Sequence, residues 1–154
     1  METVRLIYAS TAVDGLQMND MISIGEVAAA NNKLRGLTGF LSYSSGKFMQ
    51  ALEGSSEGVN RVLQRLYEDH RHSDLQIISF GPIEKRAFPT WAMRSVNWDE
   101  AWRPSQRAYL LQQLGITEYE PRAITPARAL ALLEVLAEVV RRRDERTERQ
   151  NQEV

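Results

Sequence analysis

Residues 37–54 read LTGFLSYSSGKFMQALEG, and this stretch decides the fold. Two apolar runs, LTGFLSY and KFMQALE, flank Ser44-Ser45-Gly46, and short apolar runs around a Gly-containing loop predict a β-hairpin. Toward the N-terminus, Gly36 stands just past an Ala-rich stretch, about residues 19–34, where Met21, Ile22, Val27 and Ala28 carry helical spacing. Before it, residues 3–10 (TVRLIYAS) alternate and are rich in strand-forming types, as a buried strand is. Toward the C-terminus, Gly54-Ser55-Ser56 offers an N-cap, and Val59, Val62, Leu63 and Leu66 form one apolar helical stripe to about residue 70. LQIISFGPI, residues 75–83, reads as a strand stopped by Pro82, and WAMRSVNW, residues 91–98, as a fifth strand. The order β-α-β-β-α-β-β predicts an α+β sandwich: a ferredoxin-like βαββαβ sheet with an added fifth strand and two helices on one face.

After Trp98 the texture becomes helical, with helices expected over about 104–115 and 127–146 and a division into residues 1–98 and a helical extension, 99–154. Ala129, Leu132, Leu136 and Val139 are spaced 3, 4 and 3, a narrow seam expected to cap the second face of the sheet. The last stretch, RRRDERTERQNQEV, is of mixed charge and is expected to fray.

Composition bounds the function. Lys plus Arg is 19 and Asp plus Glu is 20 in 154 residues, a net charge of −1, so no basic nucleic-acid footprint is present. The absence of cysteine excludes disulfides, thiolate metal sites, cysteine nucleophiles and photochemistry through a cysteinyl adduct. His70 and His72 are the two histidines, which suggests neither a His-built metal cage nor a serine triad. No apolar run approaches the roughly 20 residues that span a bilayer. The chain is therefore expected to be cytoplasmic, with neither nucleic acid nor membrane as partner.

Some polar residues sit where packing alone would not place them. Alternation puts Phe48, Gln50 and Leu52 on one face and Lys47, Met49, Ala51 and Glu53 on the other. Lys47 and Glu53 suit solvent, so Gln50 is expected to point inward, where an unpartnered amide costs roughly 1–3 kcal/mol. Tyr8 shares a face with Val4 and Leu6, and Trp91 with Met93. Each has an ordinary packing explanation, as do the helix-ending Asn31-Asn32 and the cluster Asp69, Arg71 and His72. Together they are compatible with one slot for a planar, amide-rich ligand between helices and sheet.

At this point the chain resembles the BLUF family, sensors of blue light using FAD. The matching pieces are RLIYAS, AAANNKLRGLTGFLSYSSGKFMQALEG, YEDHRHSDLQII and RAFPTWAM, in the family's order, over roughly residues 2–98. The resemblance implies that Tyr8 is the photochemical electron and proton donor and that Gln50 bridges its hydroxyl to the flavin. It implies that Asn32, with Asn31 close by, meets the pyrimidine edge, that Arg71 approaches the opposite carbonyl, and that Asp69 and His72 line the ribityl end. Ile24 and Phe48 would flank the ring system, while Trp91 and Met93 would form the output strand. FAD is the ligand implied, with FMN or riboflavin also able to fit. Ala28 stands where many members carry Ser.

Such a chain is expected to be no enzyme, and to signal to a separate effector or by self-association as a homo-oligomer, because only about 50 balanced-charge residues follow the sensor. The rival readings are a dark redox flavoprotein, disfavoured because the glycines form no G-x-G-x-x-G, and a flavin-free interaction domain.

Overall fold

The computed structural model describes residues 2–101 and 103–153 of the chain. The hairpin forms as β2 (Thr38–Ser44) and β3 (Lys47–Ser55). Its loop is two residues long, and Ser45 (φ 50°) and Gly46 (φ 75°) are both left-handed, the turn geometry that matches strand twist. Ser44 belongs to the strand, paired with Lys47. β1 (Thr3–Ala12) lies between β3 and β4 (His72–Ile83), and β5 (Arg94–Asn97) adds to the far side of β2. The strand order is β4-β1-β3-β2-β5, antiparallel except for the parallel β2–β5 pair. This is the ferredoxin-like sheet with its fifth strand.

Two strand limits differ from expectation. β4 starts three residues earlier than Leu75 and runs through Pro82, which an edge strand tolerates because one side of it has no ladder to complete. β5 begins only at Arg94, so Trp91 and Met93 precede it and do not share a strand face. The cause is a set of hydrogen bonds outside the ladder: Gly39 N–H donates to the Trp91 carbonyl (3.1 Å) and Asn32 Nδ2 to the Ala92 carbonyl (2.9 Å). Gly39 is required by the β3 backbone, since a Cβ there would lie 2.6 Å from the Ala51 oxygen, and its bareness also leaves room for Met93, whose Cε would lie 3.0 Å away.

α1 (Met18–Leu34) and α2 (Ser56–Glu68) lie with the sheet face that carries Val4, Leu6, Tyr8 and Leu52. α2 starts at the expected cap, where Ser55 Oγ accepts from Gly58 N–H (3.1 Å), and ends at Glu68. α3 (Pro104–Leu114) ends on Gly115, left-handed at φ 68°. α4 (Pro126–Gln152) covers the opposite face: Ala129, Leu132, Leu133, Leu136 and Val140 form one core with Ile7, Phe40, Met49 and Ala51. The seam caps the sheet as expected, except that Val139 is only half-buried. The charged tail stays helical to Gln152. Glu and Arg are good helix formers, and Glu138 pairs with Arg142 one turn on (3.1 Å).

Because both sheet faces are covered, Glu53 is buried, not solvated. Its carboxylate accepts from Arg5 Nε (2.8 Å), Ala87 N–H (2.9 Å) and Phe88 N–H (2.7 Å). Lys47, half-buried, pairs with Glu120. Among the described residues no helix is long and apolar enough to cross a membrane.

Candidate functional site

Strand register builds the site. β1 and β3 set Tyr8 directly opposite Gln50, and both side chains emerge on the α1/α2 face, 4% and 7% exposed. The Tyr8 hydroxyl donates to Gln50 Oε1, and Gln50 Nε2 donates to Met93 Sδ at 3.3 Å. Around this pair lies a pocket of about 650 Å³, part of it open at the mouth. α1 supplies Ile24, Ala28 and Asn32, and α2 supplies Val62 and Leu66; Phe48 comes from β3, and Asp69, Arg71 and His72 stand at the α2–β4 junction. Asn32 is 3% exposed and spends one N–H on Ala92, leaving its amide oxygen for a ligand.

Of the candidates, Tyr8, Ile24, Asn32, Phe48, Gln50, Asp69, Arg71, His72 and Met93 are brought together. Asn31 is exposed and does not line the pocket, because successive residues on a helix point about 100° apart. Trp91 turns the other way, packing on Phe40 (centroids 5.8 Å apart) and under the Arg141 guanidinium (5.7 Å) on the α4 side. Sequence reasoning missed Ser10 and Leu41 in the lining and took Val62 and Leu66 for ordinary core. Ser10 had a signal: it is two residues past Tyr8, hence on the same face.

The electrostatics are specific. Burial, with the Asp69 charge as a second cause, raises the Tyr8 pKa well above the ordinary phenol value, so Tyr8 keeps its proton. Asp69 is held down to about 2, chiefly by hydrogen bonds from Arg71, whose Nε lies 2.9 Å from Oδ1 and Nη2 2.5 Å from Oδ2. A depressed carboxyl stabilises the fold fully above its unfolded value and loses that contribution as pH falls through the folded one. The unfolding free-energy difference between wild type and Asp69→Asn is thus expected to be constant above about pH 4 and to shrink toward zero by about pH 2. Acid-titrated urea unfolding checks this, and a difference still intact at the acid end would contradict it.

The lining suits a planar aromatic ligand with a polar edge. It is mostly apolar with a few convergent polar groups, as ligand sites are. Both His72 ring nitrogens are buried with no hydrogen-bond partner among the described residues, which a bound group's hydroxyls or carbonyls would satisfy. Among the described residues no group of three His, Asp or Glu side chains could hold a metal.

Fold and pocket together define a ferredoxin-like domain whose pocket, beside a Tyr–Gln pair, suits a flat heteroaromatic ligand. The family model described as BLUF, sensors of blue-light using FAD, matches residues 3–94, and the chain belongs to that family. Its matched region is a flavin-binding blue-light sensor domain. Photoactivated adenylate cyclase subunit alpha of Euglena gracilis is 33% identical over 87 residues, 56% of this chain and 8% of that protein. The beta subunit from Euglena longa is 32% identical over 91 residues, 58% of this chain and 11% of its own. The chain thus spans about a tenth of these relatives, whose names attach light activation to an adenylate cyclase. Among solved structures, the photo-activated state of BlsA superposes with TM-score 0.77 at 26% identity, covering 88% of this chain and 94% of that one. The dark state of BlrB, a BLUF protein, gives 0.70 at 26% identity with the same coverage. A bacterial light-regulated adenylyl cyclase gives 0.67 at 32% identity over 73% of this chain and 34% of its own.

Proposed function

We propose that this chain senses blue light through noncovalently bound FAD and a reversal of the Gln50 amide, without enzymatic activity of its own. The carrying observation is the Tyr8–Gln50–Met93 chain of hydrogen bonds at the base of the pocket. Bound flavin supplies absorption of blue light and an acceptor for one electron and one proton. Tyr8, neutral and buried, gives up both and later recovers them. Gln50 holds the Tyr8 proton's path at Oε1 and ends with its donor and acceptor groups exchanged, by rotation or tautomerisation. Asn32, Arg71, Asp69 and His72 hold the ligand, and Ile24 and Phe48 exclude water from its ring. These residues serve the ring and the ribityl chain, so FMN or riboflavin also fits.

Met93 gives the switch its resting direction. A thioether accepts but cannot donate, so it favours the orientation with Nε2 toward sulfur over the reverse. Met93→Leu removes that preference. At roughly 0.5–1 kcal/mol for such a bond, dark recovery is expected to slow about two- to fivefold with the size of the light-induced shift kept. Time-resolved absorption checks this, and an unchanged recovery rate would remove Met93 from the switch.

The output reading is that the 91–97 segment and α4 carry the change to a separate effector, with the chain a cytoplasmic homo-oligomer. Arg94 supports it by reaching Asp144 of α4 (2.8 Å). The test of the whole reading is an absorption spectrum of the purified chain before and after blue light. Flavin bands with a small, dark-reversible red shift are expected. Bands that do not move would favour dark redox chemistry, and a colourless protein that takes up no added flavin would overturn the reading.

A further inference from the structure

α4 presents more apolar surface than the sheet uses. Beside its core face, Val135, Glu138, Val139, Arg142 and Arg146 form a second strip, and with Leu110 and Tyr109 of α3 they line a groove of about 1450 Å³, open to solvent. Leu110, Val135 and Val139 are its apolar floor, half-buried, and Tyr109 is 62% exposed at its rim. Four arginines surround the floor (Arg103, Arg142, Arg143 and Arg146) against one lining carboxylate, Glu138, which is already shared between Arg141 and Arg142. Exposed Glu100 adjoins the groove, where its carbonyl accepts from Arg143 Nη2 (2.5 Å). The chain as a whole carries a net charge of −1, so this is a local concentration of positive charge and not general basicity.

We propose that the α3–α4 groove docks an acidic amphipathic helix of a partner protein. An apolar strip between two helices, rimmed by cations, accepts a helix with aliphatic residues one turn apart and Glu or Asp flanking them. A second copy of this chain fits less well: a two-fold interface sets the same patch against itself and would bring arginines over arginines. A nucleic-acid backbone would satisfy the charge but leave the apolar floor uncovered.

The groove is also wired to the pocket, a point that rests on the function proposed above. Arg141 covers the Trp91 ring and Asp144 holds Arg94, and both belong to the turn of α4 that carries Arg142 and Arg143. A shift of the 91–94 segment therefore moves the groove wall.

The test uses the full flavin-loaded chain and two synthetic helical peptides of about 18 residues, five turns, with the same Leu stripe. One peptide carries Glu beside the stripe and the other Lys. Fluorescence anisotropy is expected to give about tenfold tighter binding of the Glu peptide, weakening with salt. Arg142→Glu/Arg146→Glu, at exposed positions that spare the core, is expected to abolish or invert that preference. Amide shifts on binding are expected within 103–110 and 135–146. Equal binding of the two peptides, an unchanged preference in the double variant, shifts elsewhere, or a DNA duplex competing as well as the Glu peptide would each overturn the groove. Equal affinity in darkness and light would remove the coupling to the pocket, whereas absent photochemistry would remove the sensor reading and leave dark binding as it stands.

Discussion

Gln50→Leu is expected to abolish the reversible red shift completely while flavin remains bound. Leucine is close to glutamine in size and suits an apolar slot, so the ligand keeps its walls. What disappears is the group that can exchange donor and acceptor, and with it the memory of the photochemical event. The change also strands the Tyr8 hydroxyl, which loses its acceptor in a buried position. That costs roughly 1–3 kcal/mol, seen as a lower urea midpoint, whereas Tyr8→Phe/Gln50→Leu removes both partners and is expected to regain most of it. The double variant is silent to light but stable; the single one is silent and weakened. A normal, reversible shift in Gln50→Leu would end the assignment of Gln50.

Glu53→Leu is expected to be the most damaging substitution for the fold, about 3–5 kcal/mol of the roughly 5–15 that hold a domain together. The carboxylate is fully buried and serves three donors: the Arg5 guanidinium and the amides of Ala87 and Phe88. Its removal leaves a charge and two amides without an acceptor. Arg5→Met/Glu53→Leu relieves the orphaned charge but not the amides, so it is expected to recover only part of the loss. Urea unfolding of the three chains distinguishes these outcomes. A cost under about 1 kcal/mol for the single variant would show that water replaces the carboxylate.

Glu53 also shows where the sequence stops being legible. Alternation along KFMQALEG correctly sent Gln50 inward, but through the premise that Lys47 and Glu53 face water. A period of two separates faces without saying which are covered, and on β3, with strands on both sides and α4 across its second face, both are. The order of elements was readable because hairpin, caps and apolar stripes are local signals. The Trp91–Met93 geometry was not, because it depends on a backbone acceptor on Ala92 and a glycine on β2 that lie far apart in the chain. Patterning already singled out Tyr8, Gln50, Asn32, Asp69, Arg71 and His72, each with an ordinary packing explanation, and reached a slot with polar walls; their roles, and Ile24 and Phe48, came from resemblance to a family. Asn31 and Asn32 are adjacent in sequence, and only the helix's rotation decides which enters.

β5 is four residues long, lies at the rim of the sheet and pairs with a single strand, β2. A strand in that position can peel away without interrupting any ladder between the others. Opening one edge strand costs less than unfolding the whole domain. The stroke of the sensor therefore need not work against the stability of the whole domain. On the output reading proposed above, the change has only to loosen this edge strip, with the β1–β3 pair that carries Tyr8 and Gln50 as the frame against which it moves.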